Sequence, residues 1–428
     1  MKIAVDTLGC RVNQSESESL LNRFAKLGFD LVSADEQPDV YVLNSCSITT
    51  AAEASARKLV RRQKKNNPDV KIIFTGCYAK LAASEIEENL PEIDFLFPGE
   101  RKEEIPAFLN ETRGFTGGKG EAGINFRTRK FLKVQDGCRD FCTYCIVPHI
   151  RNRLVSEPLE KVSRDVTRLV EEEQYPEIVF TGIHLGQYGV DLDHHETDLV
   201  ALVRKIENIK FTREVRFRLS SLEPQDAGAE LIETVAGASK FCNHLHLPLQ
   251  SGSDLVLERM GRRYDVREYL DTIKICRRCD PDFAISTDLI VGFPGESEAD
   301  FEQTLEAVGK AKFSDLHVFK YSKRPGTPAA DFEPEIPGDV VTRRSKKLRK
   351  AGRKQRKAYC QRFLGKPARI LIENNSSENY SRGYSSYYLP VRLAGKHKPG
   401  TFVEAEIDTW CRGELLVFNR EESERCVI

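Results

Sequence analysis

The chain has 428 residues, of which 65 are basic, 65 are acidic and 40% are hydrophobic. This length is too great for one ordinary hydrophobic core, so we expect two or three domains, and the balanced charge excludes a uniformly basic or acidic protein. No run of 18 apolar residues and no signal-peptide pattern is present, so we expect a cytoplasmic protein without a membrane span, in which some of the twelve cysteines bind a metal or a cluster.

Residues 1–115 alternate strand-like and helix-like patterns, which indicates an α/β sandwich. Strands are predicted at "KIAVDTLG", "DVYVLNS", "VKIIFTG" and "IDFLFPG", with amphipathic helices between them. Strands that are joined through helices form a parallel sheet with right-handed crossovers. The glycine-rich stretch at 116–130 predicts a linker to the next domain.

Residues 131–340 repeat the alternation of strand and helix. Six strands are predicted, at "FLKVQD", "EIVFTG", "VRFRLSS", "HLHLPLQ", "AISTDLIVG" and "DLHVFKYS". A complete barrel of this kind has eight β/α units in about 250 residues. The pattern therefore predicts a partial barrel of six units, a (β/α)6 fold.

The last part of the chain changes in composition. Residues 341–364 predict a helical connector, and the stretch 343–367 holds twelve lysines and arginines without one acid. That charge favours RNA binding over a solvated helix face, because each phosphate contact releases counterions. Residues 365–428 predict a small β-barrel from short apolar runs with Gly and Pro turns. Its tyrosines Tyr384, Tyr387 and Tyr388 are candidates for stacking on RNA bases.

Three cysteines of the first domain directly follow predicted strands; they are Cys10, Cys46 and Cys77. In a parallel sheet the carboxyl ends of the strands lie at one edge, where α/β proteins build their sites. We therefore expect the three thiols to converge and to hold a metal ion or an iron–sulfur cluster. The alternative is that each is a small buried hydrophobic residue, as free cysteines often are. Three cysteines at matching positions favour the ligand interpretation.

A second group, Cys138, Cys142 and Cys145, has the spacing C-x3-C-x2-C and follows the first barrel strand. A [4Fe–4S] cluster is usually held by four thiolates, so three leave one iron open to a small chelator. S-adenosylmethionine (SAM) offers an amine and a carboxylate for that position. Zinc is the alternative, but zinc sites usually show paired C-x2-C units or added histidines, which this motif lacks.

The C-x3-C-x2-C motif at the start of a partial barrel resembles the radical SAM enzymes. The preceding domain with three dispersed cysteines is similar to the methylthiotransferases among them, and the closing β-barrel resembles their TRAM domain. The stretch "TLGCRVNQSESE" is most similar to the MtaB-type branch, which modifies N6-threonylcarbamoyladenosine in tRNA. The isopentenyladenosine branch typically has Gly-Cys-Gln-Met-Asn at this point, and the ribosomal-protein branch has Gly-Cys-Pro-Lys-Asn. The resemblance covers essentially the whole chain.

The resemblance implies two [4Fe–4S] clusters and S-adenosyl-L-methionine as cofactors, with two SAM molecules consumed per product. The C-x3-C-x2-C cysteines would hold the cluster that cleaves SAM to a 5′-deoxyadenosyl radical, which removes hydrogen from C2 of the adenine. That carbon has no acidic proton, so acid–base catalysis cannot activate it. The other three cysteines would hold a cluster that carries or donates sulfur, and a second SAM would supply the methyl group.

The resemblance also implies SAM contacts at the ends of barrel strands. Tyr144, between two cluster cysteines, would lie near the adenine of SAM, and Gly182 would contact its methionyl amine. Further candidates follow the third, fourth and fifth strands; they are Ser221, Glu223, Gln250, Ser251 and Gly292. Gly292 is a candidate because glycine lets the backbone approach a ligand closely.

The resemblance therefore implies a methylthiotransferase that adds a 2-methylthio group to N6-threonylcarbamoyladenosine at position 37, in the anticodon stem-loop of tRNA, and receives electrons from a protein such as flavodoxin or ferredoxin. The same chemistry on isopentenyladenosine or on a ribosomal-protein aspartate is the nearest alternative. A non-enzymatic iron–sulfur or zinc protein that binds RNA is the alternative from another class.

Overall fold

The computed structural model describes residues 1–112, 128–192, 197–377, 379–411 and 413–418. Its two compact units are formed from segments that alternate along the chain. The first unit contains Met1–Phe126, Gly137–Arg153 and Ser322–Ala330, and the second contains Arg127–Asp136, Leu154–Tyr321 and Asp331–Ile428. Most of the predicted linker at 116–130 lies outside the described residues. Among the helices of the described ranges, none has the length and apolar character needed to cross a membrane.

A five-stranded parallel sheet forms the centre of the first unit. Its strands are β1 (Lys2–Thr7), β2 (Asp30–Leu31), β3 (Val40–Ser45), β4 (Lys71–Gly76) and β5 (Phe95–Pro98). They lie in the order β2-β1-β3-β4-β5, so the four predicted strands are confirmed and the short β2 is added at one edge. Every residue of β3 is buried, as expected for a central parallel strand that is covered on both faces.

Helices and hydrophobic side chains cover this sheet. The helices of the first unit are α1 (Arg11–Lys26), α2 (Thr50–Asn66), α3 (Cys77–Leu81), α4 (Ala83–Asn89), α5 (Ile105–Thr112) and α6 (Val147–Ile150). Helix α2 begins after Thr49, whose hydroxyl accepts a hydrogen bond from the backbone N–H of Ala52 at 3.2 Å. Two hydrophobic clusters, one around Phe24 and one around Phe74, pack against the strands.

The six predicted barrel strands are all present in the second unit. They are β6 (Arg129–Asp136), β8 (Glu177–Gly182), β9 (Arg216–Leu219), β10 (His244–His246), β11 (Ala284–Val291) and β12 (Asp315–Lys320), and the short β7 (Val155–Ser156) is added beside β6. Parallel pairing joins β6, β8 and β9 in one sheet and β10, β11 and β12 in another. Isolated bridges, such as that of Ser221 with His246, connect the two sheets, so the partial barrel is confirmed.

The outer layer of this barrel consists of helices whose apolar faces pack on the strands. They are α7 (Leu159–Glu171), α8 (Leu199–Glu207), α9 (Ala229–Gly237), α10 (Asp254–Arg259), α11 (Val266–Cys279), α12 (Glu298–Ala311) and α13 (Gly338–Gln361). Capping boxes begin α11 and α12, in which Asp265 and Ser297 accept hydrogen bonds from the third residue of each helix. One large hydrophobic cluster, which includes Phe180 and Phe301, lies between strands and helices.

The C-terminal part of the second unit is rich in β-structure, as predicted. Its strands are β13 (Pro367–Ser377), β14 (Tyr380–Ser385), β15 (Pro390–Ala394), β16 (Phe402–Glu406), β17 (Thr409–Cys411) and β18 (Glu414–Val417). They form one sheet in the order β16-β13-β14-β15-β18-β17. Neighbouring strands are antiparallel except β15 and β18, which are parallel. Residues 419–428 of the predicted last domain lie outside the described residues.

The boundary between the first two predicted domains is not a single point of the chain. The loop Gly137–Arg153 and the segment Ser322–Ala330 belong to the first unit, although both lie inside the predicted barrel range of 131–340. In that unit the backbone N–H of Ala329 donates to the carbonyl of Thr143 at 2.8 Å. Periodicity marks strands and helices, so it could not show with which unit an irregular loop packs.

Charged side chains at the start of the barrel strands form a buried cluster in the second unit. Glu177 of β8 is fully buried and pairs with Arg216 and Arg218 of β9. Burial raises the pKa of Glu177, but the positive charges of Arg216, Arg218 and Arg129 outweigh that effect and lower the pKa to about 2. The carboxylate therefore stays ionised and stabilises the three arginines.

Replacing Glu177 by glutamine is expected to destabilise the protein by about 3–5 kcal/mol, because buried arginines lose their counter-charge. In the unaltered protein this stabilisation is present above the ordinary carboxyl pKa of 4.5 and is lost as the pH falls toward 2. The variant should therefore lose that part of the pH dependence. Urea unfolding at several pH values measures both effects.

The matched control is Glu233→Gln, which removes the same charge from an exposed position on α9. Exposed substitutions usually change the free energy of unfolding by about 0.5 kcal/mol or less. A Glu177→Gln protein as stable as this control, with an unchanged dependence on pH, would show that the cluster does not stabilise the fold.

Candidate functional site

Cys10, Cys46 and Cys77 directly follow three adjacent strands of the first unit. Cys10 lies between β1 and α1, Cys46 follows β3, and Cys77 begins α3 after β4. Because β1, β3 and β4 are neighbours in the parallel sheet, their carboxyl ends meet at one edge. The thiols of Cys10 and Cys46 both interact electrostatically with that of Cys77. The structure therefore brings the three sulfur atoms together.

Glycines precede two of these cysteines because a larger residue would not fit. Gly9 has a φ of 103°, and a Cβ atom there would lie 2.8 Å from Sγ of Cys46. Gly76 has a φ of 99°, and a Cβ atom there would lie 2.3 Å from the carbonyl oxygen of Ser45. The side-chain amide of Asn13 donates to the same carbonyl at 3.1 Å. These contacts fix the backbone that carries the thiols.

The protonation of these thiols indicates what they can bind. Burial raises the pKa of Cys10, while a hydrogen bond from the backbone of Asn13 and the charge of Arg151 oppose the rise. Burial also raises the pKa of Cys46 to about 12. Metals are bound by thiolates, so a cation has to supply the positive charge that this buried site lacks. Three converging thiols, one buried and two half-buried, fit a metal ion or an iron–sulfur cluster.

The second group of cysteines lies in the loop between β6 and α6. Cys138, Cys142 and Cys145 are each half-buried. The backbone N–H of Cys145 donates to the carbonyl of Cys142 at 2.9 Å, and that of Cys138 donates to the carbonyl of Arg151 at 3.0 Å. Phe141 is exposed and has a φ of 47°, in the left-handed region that side chains other than glycine seldom adopt. Such strain is typical of loops that bind ligands.

Arg151 connects the two cysteine groups within the first unit. Its carbonyl accepts the hydrogen bond that closes the loop at Cys138. Its guanidinium donates to both carboxylate oxygens of Glu16 on α1, at 3.0 and 3.1 Å. Its charge also favours the ionised forms of Cys10 and Cys46. One residue therefore contacts both groups, through its backbone carbonyl at Cys138 and through its charge at Cys10 and Cys46.

Glu16 is buried and has Lys102 as a second basic partner. A buried carboxylate with two cations holds its surroundings in one arrangement, because loss of any partner leaves an uncompensated charge. This network was not predicted from the sequence. Its one local signal is the spacing of Cys10, Asn13 and Glu16, which lie three residues apart at the start of α1. Arg151 and Lys102 are distant from Glu16 in sequence, so no local pattern indicates that they contact it.

Three of the predicted SAM contacts lie at carboxyl ends of barrel strands with accessible groups. Gly182 ends β8, where a Cβ atom would lie 2.7 Å from the side-chain oxygen of Gln135. Ser221 follows β9 and is exposed. Gln250 is half-buried and has a φ of 64°, and its backbone N–H donates to the carbonyl of Asp288 at 2.9 Å. These residues remain candidates for ligand contact.

Other predicted contacts have partners of their own. Glu223 forms an ion pair with Arg262. Ser251 is fully buried, and its hydroxyl lies 3.5 Å from that of Thr304 on α12. In the second unit both side chains therefore hold loops in place. Tyr144 belongs to the first unit, where it lies half-buried between two cysteines of the loop.

Gly292 is explained by protein contacts rather than by space for a ligand. It has a φ of 76°, and a Cβ atom there would lie 2.4 Å from the side chain of Val341 on α13. Its backbone N–H donates to the carboxylate of Glu296 at 2.8 Å. Helix packing and the positive φ therefore already require glycine at this position, and the predicted approach of adenosine to its backbone stays a prediction.

Two histidines of β10 face the same side of the strand. Nε2 of His244 and Nδ1 of His246 lie 3.3 and 2.9 Å from the hydroxyl of Ser286 on β11. Nε2 of His246 also lies 3.2 Å from the carboxylate of Asp288. Leu245, between the histidines, belongs to the core beneath the outer helices. The opposite face of these strands therefore carries a polar cluster.

The twelve basic residues of segment 343–367 separate into two sets. Seven of them contact carboxylates or carbonyls of the second unit, as Arg344 does with Glu296. The other five are exposed and have no such contact among the described residues; they are Lys346, Lys350, Arg353, Lys354 and Lys357. Their spacing of mainly three and four residues places them on one face of α13, which we call the α13 stripe.

The tyrosines that the sequence offered for base stacking contact their own unit instead. The rings of Tyr384 and Tyr388 stack with centroids 5.1 Å apart, and the guanidinium of Arg129 lies over both. The hydroxyl of Tyr387 donates to the carboxylate of Asp280 at 3.1 Å. These side chains attach the C-terminal sheet to the barrel, and their stacking on RNA bases stays a prediction.

Two models of protein families match parts of the chain. Residues 132–308 match the model of the radical SAM superfamily, and residues 2–98 match a family described as uncharacterized protein family UPF0004. The first range contains the C-x3-C-x2-C cysteines, and the second contains the three cysteines at the strand ends.

Curated relatives match nearly the whole chain. The threonylcarbamoyladenosine tRNA methylthiotransferase MtaB of Thermotoga maritima is 35% identical, over 97% of this chain and 98% of its own. The enzyme of the same name from Bacillus subtilis is 35% identical over 92% and 90%. A tRNA-2-methylthio-N(6)-dimethylallyladenosine synthase of Clostridium botulinum is 32% identical over 96% and 92%.

Solved structures show the same fold at low sequence identity. The radical S-adenosylmethionine methyltransferase TsrM of Kitasatospora setae, with cobalamin and a [4Fe-4S] cluster bound, superposes with a TM-score of 0.54 at 13% identity. The match covers 77% of each chain. At this identity the likeness concerns the fold alone.

Proposed function

Because the chain belongs to the radical SAM methylthiotransferase family, we propose that it adds a 2-methylthio group to N6-threonylcarbamoyladenosine at position 37 of tRNA in the cytoplasm. The observation that carries this proposal is the presence of two groups of three cysteines in one unit, joined through Arg151. A relative whose name states this nucleoside matches 97% of the chain.

Two [4Fe–4S] clusters are part of the proposal. Cys138, Cys142 and Cys145 would hold one, and Cys10, Cys46 and Cys77 would hold the other. When bound, the first supplies the electron that cleaves SAM, and the second supplies sulfur. The chain itself fixes the thiols by glycine turns and by the Glu16 network, and it excludes water by burying Cys46.

Two SAM molecules would be consumed per product, one for the radical and one for the methyl group. Gly182, Ser221 and Gln250 are the proposed contacts of the second unit, because they combine accessible groups with strand-end positions. Glu223, Ser251 and Gly292 are further proposed SAM contacts, on loops that their own protein contacts hold in place, and Tyr144 is the proposed contact of the first unit.

The α13 stripe is the proposed surface for the anticodon stem-loop. Its five cations have no acidic partner among the described residues, and phosphates would replace the counterions that they attract in solution. An acidic electron-transfer protein such as flavodoxin or ferredoxin would supply electrons.

Mass spectrometry of tRNA nucleosides from a strain that lacks this gene tests the substrate. The 2-methylthio form of N6-threonylcarbamoyladenosine should disappear while the unmethylthiolated nucleoside accumulates, and the gene on a plasmid should restore it. Loss of the isopentenyladenosine derivative would instead assign the substrate named for the Clostridium botulinum relative. An unchanged set of nucleosides would contradict a tRNA substrate.

A further inference from the structure

Helix α2 of the first unit carries a concentration of positive charge that the functions described so far do not use. Between Ala54 and Pro68 the chain has six basic residues and no acid; they are Arg57, Lys58, Arg61, Arg62, Lys64 and Lys65. Four of these side chains are exposed; they are Lys58, Arg61, Arg62 and Lys65. Several of them line an open cavity of about 510 Å³ along the helix.

The partners of these residues differ. Arg57 donates to the hydroxyl of Tyr78 at 2.7 Å. Arg61 lies 3.6 Å from the carboxylate of Glu92, and Lys64 lies 3.3 Å from that of Asp94. Lys58, Arg62 and Lys65 have no hydrogen bond or ion pair with any part of the chain that the structure describes. Their spacing of four and three residues places them on one face. We call these three residues the α2 stripe.

This arrangement is unfavourable in the free protein. Like charges four residues apart on a helix repel each other, as Lys58 and Arg62 do here. The face that holds α2 on the sheet is small, with Ala56, Val60 and Gln63 as its buried residues. Lys65 lies in the last turn, where the helix dipole favours a cation, and Arg61 lies near a carboxylate. The repulsion between Lys58 and Arg62 has no such compensation, and an anionic partner would relieve it.

We propose that the α2 stripe binds the sugar-phosphate backbone of the RNA substrate, as a second surface in addition to the α13 stripe. The proposal rests on the function proposed above. Lys58 to Lys65 spans about 10 Å of helix, which corresponds to about three phosphates of one strand. Contacts of this kind add affinity and orientation without reading bases.

The composition favours RNA over an acidic protein as the occupant. Interfaces between proteins contain buried aromatic or apolar residues and are depleted in lysine. The exposed residues of α2 between Ala54 and Asn66 include no large hydrophobic side chain. Regularly spaced cations without an apolar centre are suited to a line of phosphates.

The test uses the full-length holoenzyme and a fluorescent tRNA that carries N6-threonylcarbamoyladenosine at position 37. The triple variant Lys58→Gln, Arg62→Gln and Lys65→Gln should bind this tRNA about tenfold or more weakly at low salt. The slope of log K against log salt concentration should become shallower by about two units, as expected when three phosphate contacts are lost. Iron content and melting temperature should stay at or above those of the wild type.

The matched control removes three exposed cations from α11, by Arg267→Gln, Lys274→Gln and Arg278→Gln. It should retain wild-type affinity, as should the charge-preserving variant Lys58→Arg, Lys65→Arg. Wild-type affinity and salt dependence in the α2 triple variant would overturn the proposal, and so would an equal loss in the α11 control. If the α2 triple variant binds tRNA normally but accepts electrons poorly from an acidic donor protein, the stripe binds that protein, and the proposal is overturned as well.

Failure of this inference and failure of the proposed function give different results. If the α2 variant binds and methylthiolates tRNA like the wild type, the stripe is not an RNA surface while the function stands. If the wild type binds the tRNA through the stripe but makes no methylthiolated nucleoside, the stripe stands and the proposed reaction fails.

Discussion

Replacing Cys142 by alanine is expected to abolish the release of 5′-deoxyadenosine from SAM. Cys142 is the middle residue of the C-x3-C-x2-C loop, where its carbonyl accepts the hydrogen bond that positions Cys145. The cluster has only three protein ligands. Without Cys142, two thiolates remain and two of the four irons lack protein coordination. Anaerobic incubation with SAM and dithionite, followed by chromatography, measures the released nucleoside.

The control for this variant is Cys279→Ala, which removes an exposed thiol from α11 in the second unit. It should keep the iron content and the deoxyadenosine release of the wild type. The Cys142→Ala protein should hold about four irons per chain instead of about eight. Deoxyadenosine release by the Cys142→Ala protein would refute the assignment of this loop as the SAM-cleaving centre.

Replacing Cys46 by alanine is expected to separate SAM cleavage from sulfur insertion. Cys46 is buried beside Gly9 and belongs to the other cysteine group. The variant should still release deoxyadenosine, since the C-x3-C-x2-C loop is intact, but it should form no methylthiolated nucleoside. Mass spectrometry of the tRNA product and of free deoxyadenosine from one reaction measures both.

The substitution itself is small, because alanine removes one sulfur atom and leaves the glycine turn beside it unchanged. A melting temperature near that of the wild type would show that the fold is retained. Formation of methylthiolated tRNA by Cys46→Ala at the wild-type rate would exclude this cysteine group as the source of sulfur.

The sequence was sufficient to predict the strands and the convergence of cysteines. Apolar runs that end in cysteine are visible in the sequence. Parallel strands place their carboxyl ends at one edge of the sheet, and this does not depend on the conformation of the loops. Cys10, Cys46 and Cys77 were therefore predictable as a group, although they are dozens of residues apart.

Contacts between distant segments were not predictable in the same way. Arg151 pairs with Glu16 across 135 residues, and no periodic pattern connects the two. The same limit applies to the loop that carries Cys138, which sequence order places in the barrel but packing places in the first unit. Local patterns determine elements, whereas such contacts depend on the complete fold.

For the charged surface, the sequence predicted how many basic residues a segment has but not which of them are paired. The number of cations in segment 343–367 can be counted from the sequence, but packing decides that Arg344 pairs with Glu296 and that Lys350 has no such partner among the described residues. The tyrosine-rich stretch shows the same limit. Its composition suggested an RNA-binding surface, but it could not show that Arg129 and Arg218 of the barrel contact the ring of Tyr388.

Metal and sulfide analysis of anaerobically purified protein tests the central claim most directly. Six cysteines arranged in two groups of three should yield about eight irons and about eight inorganic sulfides per chain. Stoichiometric zinc, or the absence of inorganic sulfide after reconstitution, would contradict the account of both cysteine groups and of the reaction proposed for them.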